Sequence, residues 1–300
     1  MKAWLSALVL SASLMAPWAA EAKIKVAASI NDLASIANSV GGDQVEVFAI
    51  ARSNTDVHRV EALPSYMVKV SRAQIYLKVG LQLDQWADPI IDGSRNEHLT
   101  MVDCSQGVHV LEVPTGRVDA SMGDVHPNGN PHYWLDPRNG GVVAHTIAEA
   151  FAHQDPAHAA DFRSRADQFA KDAEAAWKKG VQAAAALPTK TVFTYHRSWS
   201  YFADAFGLEV AATAEPVPGI PPTARHLSEL VQIAKSRGVR ALIEEPYFPT
   251  DAGKFLEREA GVKTALASPS CDAPAAGSYL SRFDTVFQAL TAASARQGNP

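Results

Sequence analysis

Strand-like and helix-like segments alternate along this chain in two separate runs, and this pattern constrains the fold more than any other feature. The first run opens with the apolar strand KIKVAASI and the helix NDLASIANSVGG, with Asn31 as the expected N-cap and Gly41 as the stop. It continues through QVEVFAI, PSYMVKVSRA, QIYLKVG, LQLDQWADPIIDGS and LTMVDCS. Such alternation favours a parallel sheet with helices on both faces.

A long helical segment separates the two runs. PAHAADFRSRADQFAKDAEAAWKKGVQAAAAL has no internal proline, and its apolar positions recur near helical spacing at Phe162, Phe169, Ala173 and Trp177. About 30 residues at roughly 1.5 Å each would reach about 45 Å. The segment therefore predicts a stiff strut between two lobes, and the alternative is an ordinary surface helix that kinks near Gly180.

The alternation resumes in TKTVFTYH, RSWSYFADAFG, LEVAATAE, PTARHLSELVQIAKSRG, VRALIEE, TDAGKFLEREAG, VKTALAS and AGSYLSRFDTVFQALTAAS. We therefore expect an α/β fold with two lobes, each a central mostly parallel sheet flanked by helices, joined by one long rigid helix. A chain of 300 residues has room for two such domains. The expected boundaries are 1–22 for a signal peptide, 23–155 for the N-terminal lobe, 156–186 for the linking helix and 187–300 for the C-terminal lobe.

The N-terminus has the pattern of a secretory signal peptide. Lys2 precedes an apolar stretch, and Ala20 and Ala22 form a small-x-small end that predicts cleavage before Lys23. A membrane anchor is the alternative, but the apolar stretch is short for one, and no later segment reaches about 18 uncharged apolar residues. No lipobox cysteine lies near the cleavage site. We expect a soluble periplasmic protein.

Charge and cysteine usage narrow the function classes further. The net charge is −5 without a block of like charges, which argues against a nucleic-acid partner. Export permits a disulfide between Cys104 and Cys271, but the sequence leaves open whether they pair or remain buried thiols. A C-x-x-C pair of the kind found in many zinc sites is absent from the sequence. We expect a monomer.

Three of the ten histidines lie where a loop meets a predicted element: His58 in DVHRVEALPS, His132 in GNPHYWLDP and His196 in TYHRSWSYF. Ligands of open α/β sheets bind beyond the carboxyl ends of the strands, and His196 ends its strand at such a place. Neutral imidazole is a good ligand for divalent first-row metals. These residues suggest a three-histidine metal site with ligands from both lobes, although dispersed histidines also occur by chance.

Four segments together resemble the metal-binding solute receptors of bacterial ABC importers: DVHRVEALPS, GNPHYWLDPRN, TYHRSWSYFADAFGL and EPVPGIPPTARHLSEL. The most similar group is the zinc and manganese receptors, also called cluster A-I or cluster 9, and the resemblance extends over essentially the whole mature chain. It implies that His58, His132 and His196 are metal ligands. It gives Glu215 as the fourth ligand, with Asp272 or water as alternatives. The other interpretation of Glu215 is a structural carboxylate that caps the following turn.

The choice of metal is less constrained. Zinc members of this family often carry a loop rich in histidine and aspartate before the second ligand, but here GRVDASMGDVHPNGNPH keeps only His126, with Asp124 nearby. His126 helps to capture metal, lines the mouth of the site, or is simply solvated. Three nitrogen ligands and one oxygen favour Zn²⁺ over Mn²⁺, and Cu²⁺ would also bind such a site in vitro.

The resemblance implies a receptor, not an enzyme, that captures zinc, or next manganese, in the interlobe cleft and delivers it to an ABC transporter permease. A single helical strut predicts only a small closure of the lobes. One alternative is an exported zinc-dependent hydrolase with Glu244 or Glu245 as general base, although the chain has no HExxH motif. The other alternative is a metal-binding, adhesin-like surface protein.

Overall fold

Two four-stranded parallel sheets form the frame of the protein. A computed structural model describes residues 22–295, so the expected signal peptide lies outside the described residues except for its last position. The first sheet has the order β2-β1-β3-β4 and the second β6-β5-β7-β8. Their strands are β1 Ile24–Ile30, β2 Val45–Ala51, β3 Ile75–Lys78, β4 Thr100–Asp103, β5 Thr191–Thr194, β6 Glu209–Thr213, β7 Ala241–Glu244 and β8 Lys263–Leu266.

Helices flank both sheets, and this confirms the predicted two-lobed α/β fold. They are α1 Asn31–Gly41, α2 Pro64–Val70, α3 Asp88–Ser94, α4 Pro137–Gln154, α5 Ala159–Ala185, α6 Ser200–Phe206, α7 Ala224–Arg237, α8 Asp251–Ala260 and α9 Ser278–Ser294. The strands of each sheet pair in parallel throughout, with Ile24 opposite Val45 in one lobe and Ala241 opposite Lys263 in the other. The carboxyl ends of each set of strands therefore lie along one edge of their sheet.

The expected N-cap of α1 is wrong. Ile30 occupies the N-cap position without a capping side chain, and Asn31 is the first helical residue. The Asn31 amide instead donates to the backbone oxygen of Cys271, at 3.0 Å, across to the C-terminal part of the chain. The side chain that local sequence rules assign to capping is thus used in a tertiary contact.

Helix α5 runs without interruption for 27 residues and passes through Gly180. A Cβ atom at Gly180 would overlap the Phe206 ring, so glycine here permits close packing of α5 on α6. Phe162 and Phe169 are buried on the same helix. The strut is thus packed along its length and is not an isolated rod.

One apolar cluster extends through both lobes. It contains Val26 and Leu33 of the N-terminal lobe, Phe162 of α5, Phe287 of α9 and Ile243 of the second sheet. Two smaller clusters cover the outer faces of the two sheets. Because protein interiors are close-packed, a shared core opposes large relative movement of the lobes.

Both cysteines are free and buried, which answers the question that the sequence leaves open. Burial raises the pKa of each thiol, with Asp103 adding to the effect at Cys104 and Asp32 at Cys271. Among the described residues, no helix is both long and apolar enough to cross a membrane.

Candidate metal site

The fold brings His58, His132 and His196 together from three distant segments. His58 lies in the loop after β2, His132 precedes a single 3₁₀ turn before α4, and His196 follows β5. One ring nitrogen from each lies within 4.8 Å of the other two. The ring centroids are 5.1 Å apart for His58 and His132, 5.1 Å for His58 and His196, and 5.8 Å for His132 and His196.

Each of these imidazoles has its Nδ1 against a side-chain oxygen. The pairs are His58 with Asp56 Oδ1 at 3.0 Å, His132 with Asn130 Oδ1 at 2.9 Å, and His196 with Glu215 Oε2 at 2.6 Å. A carboxylate oxygen only accepts hydrogen bonds, and Asn130 Oδ1 also accepts from the backbone nitrogen of His132. The Nδ1 atoms therefore carry the hydrogens, and the Nε2 of each ring has a free lone pair when that ring is neutral.

The free nitrogens face one another in a buried place. Nε2 of His58 and Nε2 of His132 are inaccessible to solvent and have no hydrogen-bond partner among the described residues. Such buried unpaired polar atoms are rare in native proteins and need a physical explanation. Converging imidazole nitrogens with oriented Nδ1–H groups have the donor set and the outer-sphere support of a divalent metal site.

The surrounding groups shift the pKa values of His132 and His196 in opposite directions. Burial, followed by the charge of His58, lowers the pKa of His132 well below its ordinary value. Burial also opposes the protonation of His196, but the hydrogen bond to Glu215 and the charges of Glu245 and Glu215 outweigh it and raise the pKa of His196. His132 therefore presents a neutral ring near neutral pH, whereas His196 has a proton to lose before it can coordinate.

Asp56 and Asn130 were missed as orienting residues, although the sequence contains a signal for them. Each stands two residues before its histidine and also accepts a hydrogen bond from that histidine's backbone nitrogen, at 3.0 Å in both cases. Short polar side chains that bond to the backbone two residues on are a known turn device. Burial opposes ionisation of Asp56, but the hydrogen bonds from His58 hold the pKa of its carboxyl below the usual value.

Glu215 reaches the site from behind His196. It is 4 % exposed, and its Oε2 accepts from Gly219 N at 3.0 Å as well as from the imidazole. Its carboxylate thus also closes the turn that follows it, as the structural reading of this residue expects. Asp272 is not brought to the site, because it is exposed and lines another cavity with Leu266 and Arg282.

His126 lies beside the three histidines. Its ring centroid is 5.5 Å from that of His58, and its Nε2 is buried without a hydrogen-bond partner in the described part of the chain. Burial, followed by the charge of His58, lowers the pKa of His126 to about 4. Its loop also contacts the C-terminal lobe, because Asp124 N donates to Pro218 O at 2.9 Å. His126 therefore lines the site as a neutral imidazole.

The cavity at this place is small. It measures about 40 Å³ and is lined by His126, His132, His196, Asp124 and Pro218, among others. Since one water needs roughly 10–15 Å³ of such space, the cavity has room for an ion and one or two waters.

The candidate general bases of a hydrolase do not line this cavity. Glu245 is fully buried, and its Oε1 accepts from Ser198 Oγ at 2.9 Å and from Trp199 Nε1 at 3.0 Å. Glu244 is also buried and accepts from Thr264 Oγ1 at 3.2 Å. Neither residue lines the small cavity. These carboxylates join the end of β7 to the segment after His196 and to β8.

Comparison with known proteins gives a consistent picture. The family described as "Zinc-uptake complex component A periplasmic" (ZnuA) matches residues 26–293. A "Putative metal-binding protein" of Treponema pallidum is 26% identical over 243 residues, which are 80% of this chain and 77% of that protein. "Zinc-binding protein AdcA" of Streptococcus pyogenes serotype M1 is 23% identical over 263 residues, 83% of this chain but 51% of the relative, so the chain spans about half of AdcA.

A solved structure shares the fold over nearly the whole chain. The crystal structure of ZnuA superimposes with a TM-score of 0.79 at 26% identity, and the match covers 91% of this chain and 100% of that one.

Proposed function

Because the chain belongs to the ZnuA family of periplasmic zinc-uptake components, we propose that it captures Zn²⁺ between its lobes and delivers it to an ABC permease. The family consists of solute-binding receptors for metal uptake, so the protein is a metal receptor and not an enzyme. That it binds a divalent metal follows from this membership. The identity of the metal, the permease and a monomeric state belong to our proposal.

The convergence of three imidazoles carries the proposal. We propose His58, His132 and His196 as ligands through Nε2, because their Nδ1 atoms are already engaged by oxygens. Nitrogen donors at a buried site favour zinc, whereas manganese prefers oxygen ligands. Mn²⁺ remains the second candidate.

We propose a changed role for Glu215. Its carboxylate bonds to Nδ1 of His196, on the opposite side of the ring from Nε2, which suits an orienting group better than a fourth ligand. A carboxylate in this position fixes the tautomer and raises the basicity of the ligand nitrogen. The fourth position then belongs to water or to His126, whose Nε2 is buried beside His58.

Changing Glu215 to Gln should weaken zinc binding by about 10- to 100-fold, the usual cost of removing an outer-sphere partner. Gln keeps the size of the side chain but removes the charge that holds His196 in its tautomer. Competition titration with a zinc chelator measures the effect. Asp272→Asn is the matched control and should bind like the unaltered protein, because Asp272 is exposed. Loss of affinity in Asp272→Asn with full affinity in Glu215→Gln would reverse these roles.

The size of the cavity favours an ion over an organic substrate. Sites for small organic ligands usually measure about 300–1,000 Å³, and the cavity beside the histidines is near 40 Å³. Glu244 and Glu245 do not line that cavity, and each accepts a hydrogen bond from another side chain. This supports a receptor for a bare cation.

Several properties of the mature protein belong to the same proposal. We propose export to the periplasm, with removal of residues 1–22 and without a lipid anchor. We also propose residues 23–155 and 187–300 as the two lobes, with 156–186 as the linking unit. The family itself is periplasmic.

Titration of the unaltered protein with Zn²⁺ and Mn²⁺ against chelators, beside a hydrolase screen, tests the proposed function. Tight one-to-one zinc binding without turnover supports the receptor, and metal-dependent turnover contradicts it. Elemental analysis of protein isolated from the native periplasm names the metal that it carries. Normal zinc uptake in a strain that lacks the protein would favour the adhesin-like alternative.

A further inference from the structure

A group of buried and partly buried hydrogen bonds joins the two lobes directly beside the histidines. We call it the interlobe bracket, and it consists of Leu111 and Asn130 from the N-terminal lobe with Arg197 and Tyr201 from the C-terminal lobe. The Tyr201 hydroxyl accepts from Leu111 N at 2.9 Å and donates to Asn130 O at 2.8 Å. The Asn130 amide nitrogen donates to Arg197 O at 2.9 Å.

The bracket reaches a proposed ligand in each lobe. Asn130 Oδ1 accepts from Nδ1 of His132, so one amide both orients that imidazole and holds the opposite lobe. Its partner in the opposite lobe, Arg197, directly follows His196 in the sequence. His132 and His196 are thus connected through the side chain of Asn130 and the backbone of the adjacent Arg197.

Burial gives these bonds their weight. Tyr201 is 2 % exposed and Asn130 is 8 % exposed. Removing the Tyr201 hydroxyl would leave a backbone nitrogen and a backbone oxygen without their partner, and unsatisfied buried groups are costly. The two lobes are therefore held at a defined separation where the bracket lies.

An outer layer of contacts extends the bracket towards solvent. Glu112 accepts from the Asn130 amide at 2.9 Å and from Ser200 Oγ at 2.8 Å, and it pairs with Arg197 Nε at 3.0 Å. Glu112 also has a φ of 54°, in the left-handed region that non-glycine residues seldom occupy. The ion pair is partly exposed and contributes little by itself. The buried bonds of Tyr201 and Asn130 are the main tie.

We propose that Tyr201 and Asn130 are positioning residues that set the width of the metal site and thereby its affinity and its preference for zinc over manganese. The inference rests on the proposed function, since it concerns the same three histidines. Zinc–nitrogen bonds are short, about 2.0–2.1 Å, so the site tolerates little change in the spacing of its ligands. A wider site admits more water oxygens, which manganese prefers.

Tyr201→Phe tests the inference because it keeps the ring in the core and deletes only the bridging hydroxyl. Zinc affinity should fall by about 10- to 100-fold, and manganese affinity should fall less, so that the ratio of the two constants decreases. The visible absorption of the Co²⁺-loaded protein should lose intensity as four-coordinate geometry is relaxed. A purely structural role would lower thermal stability without moving the metal ratio or the cobalt spectrum.

Tyr76→Phe is the matched control. Tyr76 is 1 % exposed, and its hydroxyl lies near Ser29 and Asp84, within the N-terminal lobe. This variant should keep the affinity and the metal ratio of the unaltered protein. Asn130→Asp is a second variant that keeps the acceptor for His132 and loses the donor to Arg197 O. It replaces Tyr201→Phe as the test if that variant fails to fold.

The outcomes separate the inference from the proposed function. Failure of the unaltered protein to bind zinc would refute the proposed function, whatever the variants do. Zinc binding by the unaltered protein, with the same affinity and zinc-to-manganese ratio in folded Tyr201→Phe and Asn130→Asp, would overturn the bracket alone. A lowered ratio in the variants but not in Tyr76→Phe supports it.

Discussion

His196→Ala should weaken zinc binding by more than ~100-fold, which exceeds the usual cost of losing an outer-sphere partner. The substitution removes one of three converging nitrogens and leaves Glu215 buried without the imidazole that it contacts at 2.6 Å. Competition titration with a zinc chelator of known affinity measures the loss. The protein should remain folded without metal, because the substitution changes no member of the shared apolar core.

His226→Ala is the matched control for this variant. His226 also belongs to the C-terminal lobe, and its Nε2 lies 2.9 Å from Thr213 O. It is not one of the three histidines whose nitrogens converge. Its removal should leave zinc affinity unchanged. Equal affinity for His196→Ala and the unaltered protein would remove His196 from the site.

Zinc should raise the thermal transition of the protein by about 10 °C, and EDTA should reverse the shift. A ligand that binds only the folded form stabilises it by about 4 kcal/mol at a thousandfold excess over Kd, and one kcal/mol moves the Tm of a chain of this size by about 2–4 °C. Because the ligands come from both lobes and the core is shared, we expect one cooperative transition. Calorimetry with and without zinc measures it, and a second transition that zinc leaves in place would contradict the coupling of the lobes.

The zinc-induced shift should shrink as the pH falls. Folding raises the pKa of His196 above 6.5, so the folded protein without metal gains stability from this proton below pH 6.5 and loses it as the pH rises through the raised pKa. Zinc must displace that proton, so the gain from zinc is complete above the raised pKa and declines below it. His132 adds no such competition near neutral pH, because its pKa is lowered. An undiminished shift at pH 5 would contradict this assignment.

The repeated alternation of strands and helices was sufficient to predict the architecture. Parallel sheets need helical crossovers, so the order of the elements leaves few folds open. The same reasoning placed His196 at the carboxyl end of β5, where the structure brings it within reach of His58 and His132. The gathering of three distant histidines follows from the topology more than from any local pattern.

Contacts between distant segments were beyond sequence reasoning. Asn31 donates to Cys271 O instead of capping α1, and Tyr201 bridges two backbone groups of the other lobe. The side of His196 that Glu215 contacts depends on the path of the loop after β6, which no periodicity describes. The orienting role of Asp56 could have been predicted from the sequence, since its turn geometry is local to the segment Asp56-Val57-His58.

Anomalous diffraction at the zinc edge, from crystals of the zinc-loaded protein, tests most directly the central claim that zinc binds between the three imidazoles. One strong peak should lie about 2.0–2.1 Å from Nε2 of each of His58, His132 and His196. Glu215 should remain on Nδ1 of His196, away from the metal. A zinc peak elsewhere in the protein, with none between these three imidazoles, would contradict the account.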